Sequence, residues 1–148
     1  MLLPEQDENR RKRPELLTVL CILTFIGSGF SLMANLVALL TRDTWQSAME
    51  SGALDMLTGT IEMDALDLLF HVHPAYYLFQ ALFFAMSLGG ALLMWNLNKI
   101  GFHLYAVGQI SLLIIGKVFI PSLPFPLIPL LLATTFVLLY ARNLRYMT

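Results

Sequence analysis

Four long apolar stretches, with nearly all the basic residues on one side of them, constrain this chain more than any other feature. They cover residues 16–40, 75–95, 102–120 and 125–141. Each is near the ~20 residues that a helix needs to cross a ~30 Å hydrocarbon core. The expected fold is therefore an all-α membrane protein, a bundle of four transmembrane helices. Hydrophobic residues make up 57% of the chain and charged residues 13%, against the ~25% charge usual in soluble domains. Its 148 residues hold one four-helix domain at 16–148, after a charged tail at 1–15.

The charge distribution predicts an orientation. Arg10, Arg11, Lys12, Arg13, Lys99, Arg142 and Arg145 fall on one side of a four-span arrangement, and only Arg42 and Lys117 on the other. Positive residues collect on the cytoplasmic side, so both termini are expected there. The segment at 41–73 carries six acidic residues against Arg42 and belongs outside. Trp45, Tyr76 and Tyr77 at the outer edge, with Trp95, Tyr105 and Tyr140 towards the inner one, match the aromatic belts of membrane proteins. The first span is too long for a signal-peptide core and no A-x-A site follows it, so a retained helix is expected, with Pro14 at its first turn. A net charge of −1 argues against nucleic acid as a partner, because phosphate binding needs a basic face. Cys21 is the only cysteine, which excludes an intramolecular disulfide and dithiol chemistry.

Within the spans, small residues recur at helical spacing. The first carries Thr24, Gly27, Ser28, Ser31, Ala34, Asn35 and Ala38; the second Ala81, Ala85 and Gly89; the third Gly108 and Gly116. Small side chains let helix backbones approach closely in lipid, where no hydrophobic force joins helices. Gly27, Ser31, Ala81, Ala85, Gly89, Gly108 and Gly116 are accordingly expected at helix–helix contacts. The fourth span opens with Pro121, Pro124, Pro126 and Pro129. That run predicts a short, stiff connection, with regular helix starting near Pro126 or Pro129.

The outer segment alternates apolar and acidic residues from Thr44 to Phe70, and one or two amphipathic helices are expected there. An acidic polar face disfavours anionic lipid, so Glu62, Asp64 and Asp67 are candidate partner-docking residues. Polar residues inside the spans are costly. Asn35, Gln80 and Lys117 all lie within about 8 Å of the outer boundary at 1.5 Å per residue. They form a candidate polar cluster, with a lysine that snorkels and amides that bond across helices as the plainer reading.

Chemistry beyond binding finds little support. His71 and His73 lie at the outer boundary and His103 at the inner one, so a bis-histidine haem is disfavoured. A metal held by Asp67, His71 and His73 is the weaker alternative to interfacial anchoring. Ser28, between two glycines, has no His or Lys at its depth to activate it. No acidic residue lies within a span, and proton-coupled transport usually relies on one. No catalytic, cofactor-binding or metal residue is therefore assigned.

The run RPELLTVLCILTFIGSGF at 13–30, with NLNKIGFHLYAVGQI at 96–110 as a fainter echo, resembles small inner-membrane proteins of Bacteroidota-type bacteria. That resemblance implies a bacterial inner membrane and carries no activity with it. Two functions are expected: a non-catalytic integral subunit or accessory factor of a larger inner-membrane assembly, or a small transporter or lipid-binding protein built on the polar cluster. Membrane lipid and other integral membrane proteins are the expected partners, and a homo-oligomer is compatible with the chain.

Overall fold

A computed structural model describes residues 14–52, 71–122 and 124–148. Four helices carry almost all of them: α1 (Glu15–Glu50), α2 (Pro74–Trp95), α3 (Ile100–Phe119) and α4 (Leu127–Asn143), the last continued by a 3-10 turn at Leu144–Tyr146. All four, with α4 counted through its 3-10 turn, are long and apolar enough to cross a membrane. The fold is an all-α four-helix membrane bundle. Large side chains such as Ile26, Phe30 and Leu40 on α1, and Ile128 and Leu131 on α4, stand exposed on its surface. Lipid tails meet such a surface at no cost.

The bundle is built around α2, which packs along both α1 and α3, whereas α4 touches its neighbours far less. The α2–α3 contact begins at a tight turn. Leu97 occupies the left-handed region at φ 60°, and Asn98 Oδ1 accepts the Ile100 N–H at 2.9 Å. The chain can then return at very short range. A Cβ on Gly90 would lie 2.7 Å from Gly101 O and from Tyr105 N, and one on Gly101 would collide with Gly90 O. Two turns further on, a Cβ on Gly108 would lie 3.1 Å from Phe83 O. Phe83, Ser87, Gly90 and Met94 thus face Gly101, Tyr105 and Gly108 in a seam where the main chains nearly touch. Such closeness supplies the dispersion and packing that lipid cannot.

An adjacent side of α2 receives α1. Leu17, Leu20, Cys21, Thr24 and Ser28 recur every three or four residues and are buried, as a helix with one packed stripe requires. At the turn end of the bundle, Leu17, Leu20 and Cys21 join Met94, Tyr105, Tyr140 and Met147 in one core cluster. At the other end, Val72, Tyr76, Tyr77 and Ile120 form a second cluster, against which Ala38 and Leu39 pack. Residues 17 to 39 therefore run the length of the bundle, about 33 Å at 1.5 Å per residue.

Beyond Leu39, α1 does not stop where the apolar stretch does. It continues to Glu50, so residues 41–50, expected in a separate outer segment, extend the first helix by about 15 Å. No Gly or Pro interrupts them, and Thr41 and Ser47 hydroxyls donate to the carbonyls of Val37 and Asp43 at 2.8 Å each. The helix ends where Gly52 takes φ 70°, a conformation that terminates helices and suits glycine. The charged tail to Arg13, the amphipathic segment from residue 53 to 70, and Glu62, Asp64 and Asp67 within it lie outside the described residues.

The small residues divide into two groups. Ala81 and Gly108 are buried between helices, and a Cβ on Gly89 would lie 3.7 Å from a Leu104 methyl. Four others do not make the expected contacts. A Cβ on Gly27 or Gly116 would meet nothing within 4 Å, and Ala85 is exposed. Ser31 is half-buried and opens onto a cavity instead of a helix. The reason is one of facing: α2 offers α1 and α3 two faces, Ala85 falls on neither, and Gly27 and Gly116 point towards the place that α4 leaves empty.

This packing predicts opposite responses at chemically identical positions. Gly90→Val and Gly101→Val should each lower stability by at least the ~1–3 kcal/mol typical of overpacking. Gly27→Ala and Gly116→Ala should stay within about 0.5 kcal/mol of the parent. Thermal unfolding of the detergent-solubilised protein, followed by size-exclusion chromatography, checks both.

Candidate functional site: a cavity with one polar wall

The proline run decides where α4 stands. Backbone through Phe125 is non-helical, and Pro126 becomes the N-cap of α4 at φ −79° and ψ 67°. Pro129 falls in the first turn, where an N–H has no intrahelical partner to lose. It therefore breaks no helix bond, and the nearby Phe125 carbonyl accepts the Leu127 N–H at 2.8 Å. The first residues of α4 are all large or cyclic (Leu127, Ile128, Pro129, Leu130, Leu131, Leu132), so this half cannot approach another backbone closely. Contact is made from Ala133 onwards. Tyr140 is fully buried, its ring lies 4.9 Å from that of Tyr105 in an edge-on arrangement, and its hydroxyl hydrogen-bonds Thr24 Oγ1 at 2.8 Å. The chain beyond docks on the α2–α3 turn, where the Thr148 N–H donates to Leu97 O at 2.8 Å and Lys99 N–H to Thr148 O at 3.2 Å.

Fixed at the turn end and held off at its proline end, α4 leaves a cavity of about 570 Å³ against the other three helices. That volume is within the ~300–1,000 Å³ of small-molecule sites. Its two sides differ in chemistry. Pro124, Pro126, Ile128, Pro129, Leu132, Ala133 and Phe136 supply the α4 side, and none carries a polar side chain. Every polar side chain lies on the other three helices: Thr24, Ser28 and Ser31 on α1, Tyr76 and Gln80 on α2, Tyr105, Gln109 and Lys117 on α3.

The polar wall is organised by hydrogen bonds that join helices. Ser87 Oγ, fully buried on α2, accepts from Ser28 Oγ of α1 at 3.2 Å and from Gln109 Nε2 of α3 at 3.0 Å. One serine thereby ties three helices at the middle of the bundle. Nearer the proline end, Gln80 Nε2 donates to Tyr76 Oη at 2.7 Å within α2. Nearer the turn end, Cys21 Sγ donates to Ala91 O at 3.7 Å. Among the described residues, no buried side-chain nitrogen or oxygen is left without a partner, as a stable bundle in lipid requires.

Gln80 and Lys117 line the same cavity, but Asn35, expected beside them, does not. Its Nδ2 turns back to Ser31 O of its own helix at 2.8 Å, a local bond that removes it from the wall. The sequence reading missed Gln109 on the wall and Ser87, buried behind it. Tyr105, Gln109, Gly116 and Lys117 share one face of α3 at intervals of four, seven and one, and that spacing was the available signal. Ser87 carried none, because a lone serine in an apolar helix resembles any other small residue. Among the described residues, no three His, Cys, Asp or Glu side chains lie close enough to hold a metal. His73 instead caps α2, its Nδ1 accepting the Ala75 N–H at 3.2 Å, while Asp67 lies outside the described residues.

Ser87→Ala deletes the acceptor of two interhelical bonds. At about 0.6 kcal/mol per bond, and up to ~1.7, the expected loss is about 1–2 kcal/mol in detergent unfolding. Thr24→Val, which removes the hydroxyl that meets both Tyr140 and Tyr105, should cost a similar amount.

No protein-family model, curated protein or solved structure matches this chain. The chemistry of the cavity walls is what bears on its role.

Proposed function

We propose that this chain is a non-catalytic binding protein of a bacterial inner membrane, with both termini in the cytoplasm, that holds a membrane-dissolved small molecule between α4 and the three-helix core. The observation that carries this reading is the cavity's division into a polar wall and an apolar one. Acyl chains would supply dispersion contacts to an opening of this size, but no partners for the hydrogen-bonding groups on its polar wall. Gly27 and Gly116 add to the reading: both line the cavity, and neither has an atom within 4 Å of its missing Cβ. A non-catalytic role is supported by the partner of Ser28, which hydrogen-bonds another serine where a nucleophile would need a base. The orientation follows from the excess of Lys and Arg at the turn end.

A second reading, a subunit of a larger membrane assembly, is favoured by one separate observation. Residues 41–50 of α1 stand beyond the ends of α2 and α3 as regular helix, with Asp43, Thr44, Trp45 and Ser47 exposed. A helix that projects past its bundle offers another membrane protein a side to pack on.

Filling the cavity separates the two. Gly116→Leu places a side chain in open space, so folding and membrane levels should match the parent. Any small molecule that co-purifies with the parent should fall at least tenfold in lipid extracts analysed by mass spectrometry. Proteins that co-purify should be retained. A parent protein that carries no small molecule from the membrane would remove the binding reading. Orientation is tested by Ser51→Cys, which should react with an impermeant thiol reagent on intact spheroplasts; labelling only after lysis would place that end in the cytoplasm.

A further inference from the structure

The depth and charge of the polar wall narrow what the cavity takes, given that it is a ligand site. Gln109 is the tenth of the twenty residues of α3, about 15 Å from either end of that helix at 1.5 Å per residue. Ser87 and Ser28 meet it at the same level through the shared hydrogen bonds. The polar groups here are all neutral. Lys117, the one charged side chain among the described lining residues, is eight residues further along, about 12 Å towards the proline end.

A phospholipid or fatty acid entering from the proline end would place its charged head by Lys117 and its hydrocarbon against Gln109 and Ser28. The mid-depth polar groups would then face methylenes, which leaves hydrogen-bonding capacity unmet in a low-dielectric site. A charged head carried down to Gln109 would fare worse, because no opposite charge lies at that level and a buried charge in the membrane is costly. A neutral polar group satisfies both conditions. The carboxamides suit it. Each has two N–H donors and a carbonyl acceptor, and Gln109 and Gln80 each commit one N–H, to Ser87 and Tyr76. One N–H and one carbonyl oxygen of each then remain in hydrogen-bonding capacity, so either a ligand carbonyl or a ligand hydroxyl can be met.

We propose that the cavity binds an uncharged hydrophobic molecule carrying a carbonyl or hydroxyl group, which it holds at mid-membrane depth against Gln109, with its apolar body against the α4 side at Leu132 and Phe136. Selectivity over charged lipids comes from depth. The cation is at the mouth, and the Gln109 amide with its serine partners is in the interior.

Three probes test this on the full chain in detergent by native mass spectrometry, which reads bound molecules and copy number together: decylubiquinone (neutral carbonyls), dodecyl phosphate (anionic) and dodecane (no polar group). Decylubiquinone should bind one per chain. Gln109→Leu should weaken it at least tenfold, about 1.4 kcal/mol, and Lys117→Met by less than twofold. Gly116→Leu guards against a folding artefact, since its side chain enters open space, and should weaken the same probe several-fold. Tighter binding of dodecyl phosphate with a tenfold loss in Lys117→Met would overturn the neutral assignment while leaving the cavity a ligand site. So would equal affinity for dodecane and decylubiquinone. A spectrum with no probe bound, and a dimer that Gly116→Leu dissociates, would instead remove the ligand-site reading itself and assign the cavity to a second copy.

Discussion

The backbone-to-backbone approach of α2 and α3 is the constraint on which the rest of the bundle depends. With Gly90 and Gly101 facing each other across a tight turn, the two helices lie closer than any side chain would permit. Tyr105 and Gly108 then fall against Gly90, Ser87 and Phe83, and the polar edge of α3 is set relative to α2. In lipid there is no hydrophobic gain from bringing helices together. Contact area at short range must therefore supply the stability, and a glycine pair is the most direct way to obtain it.

From that seam the polar wall follows. Ser87 is placed at the centre of the bundle, where it accepts one bond from α1 and one from α3. A hydroxyl in hydrocarbon without partners would be a liability; with two it becomes a register mark that fixes the height of α1 and the rotation of α3. The same rotation turns Gln109, Gly116 and Lys117 to one side. The fourth helix could cover that side, but its proline-rich start and large aliphatic first turns keep it away until Ala133. The cavity is thus a consequence of sequence chemistry in α4 acting on a wall that the other three helices have already made.

Anchoring is correspondingly uneven. At the turn end, the Tyr105–Tyr140 ring contact, the Thr24–Tyr140 hydrogen bond and the pairing of Thr148 with Leu97 and Lys99 hold α4. At the proline end, exposed Phe125, Leu127 and Ile128 face away from the bundle or onto the cavity. A molecule dissolved in the bilayer can reach the polar wall from that side without passing through water, and an open side of this kind is what a membrane-embedded binding site needs.

Length and apolarity determined the number of helices, their boundaries apart from the far end of α1, and the membrane setting, because transfer of backbone and side chains into hydrocarbon depends on composition over a span and hardly on neighbours. The proline run likewise announced a late start for α4, since proline acts on its own residue and the one before it. Which small residues pack was not legible. Gly27, Gly89, Gly90, Gly101 and Gly116 have the same local chemistry, and only the rotation of each helix about its axis decides which of them meets a backbone and which meets open space. The polar cluster divided in the same way: Gln80 and Lys117 reached the cavity, Asn35 closed on its own helix, and Gln109 and Ser87 acquired meaning only when α3 and α1 were brought against α2. Composition over a span is a property of one helix in lipid, whereas a site is a property of the angles between several, and those angles were set by short-range contacts between residues far apart in the chain.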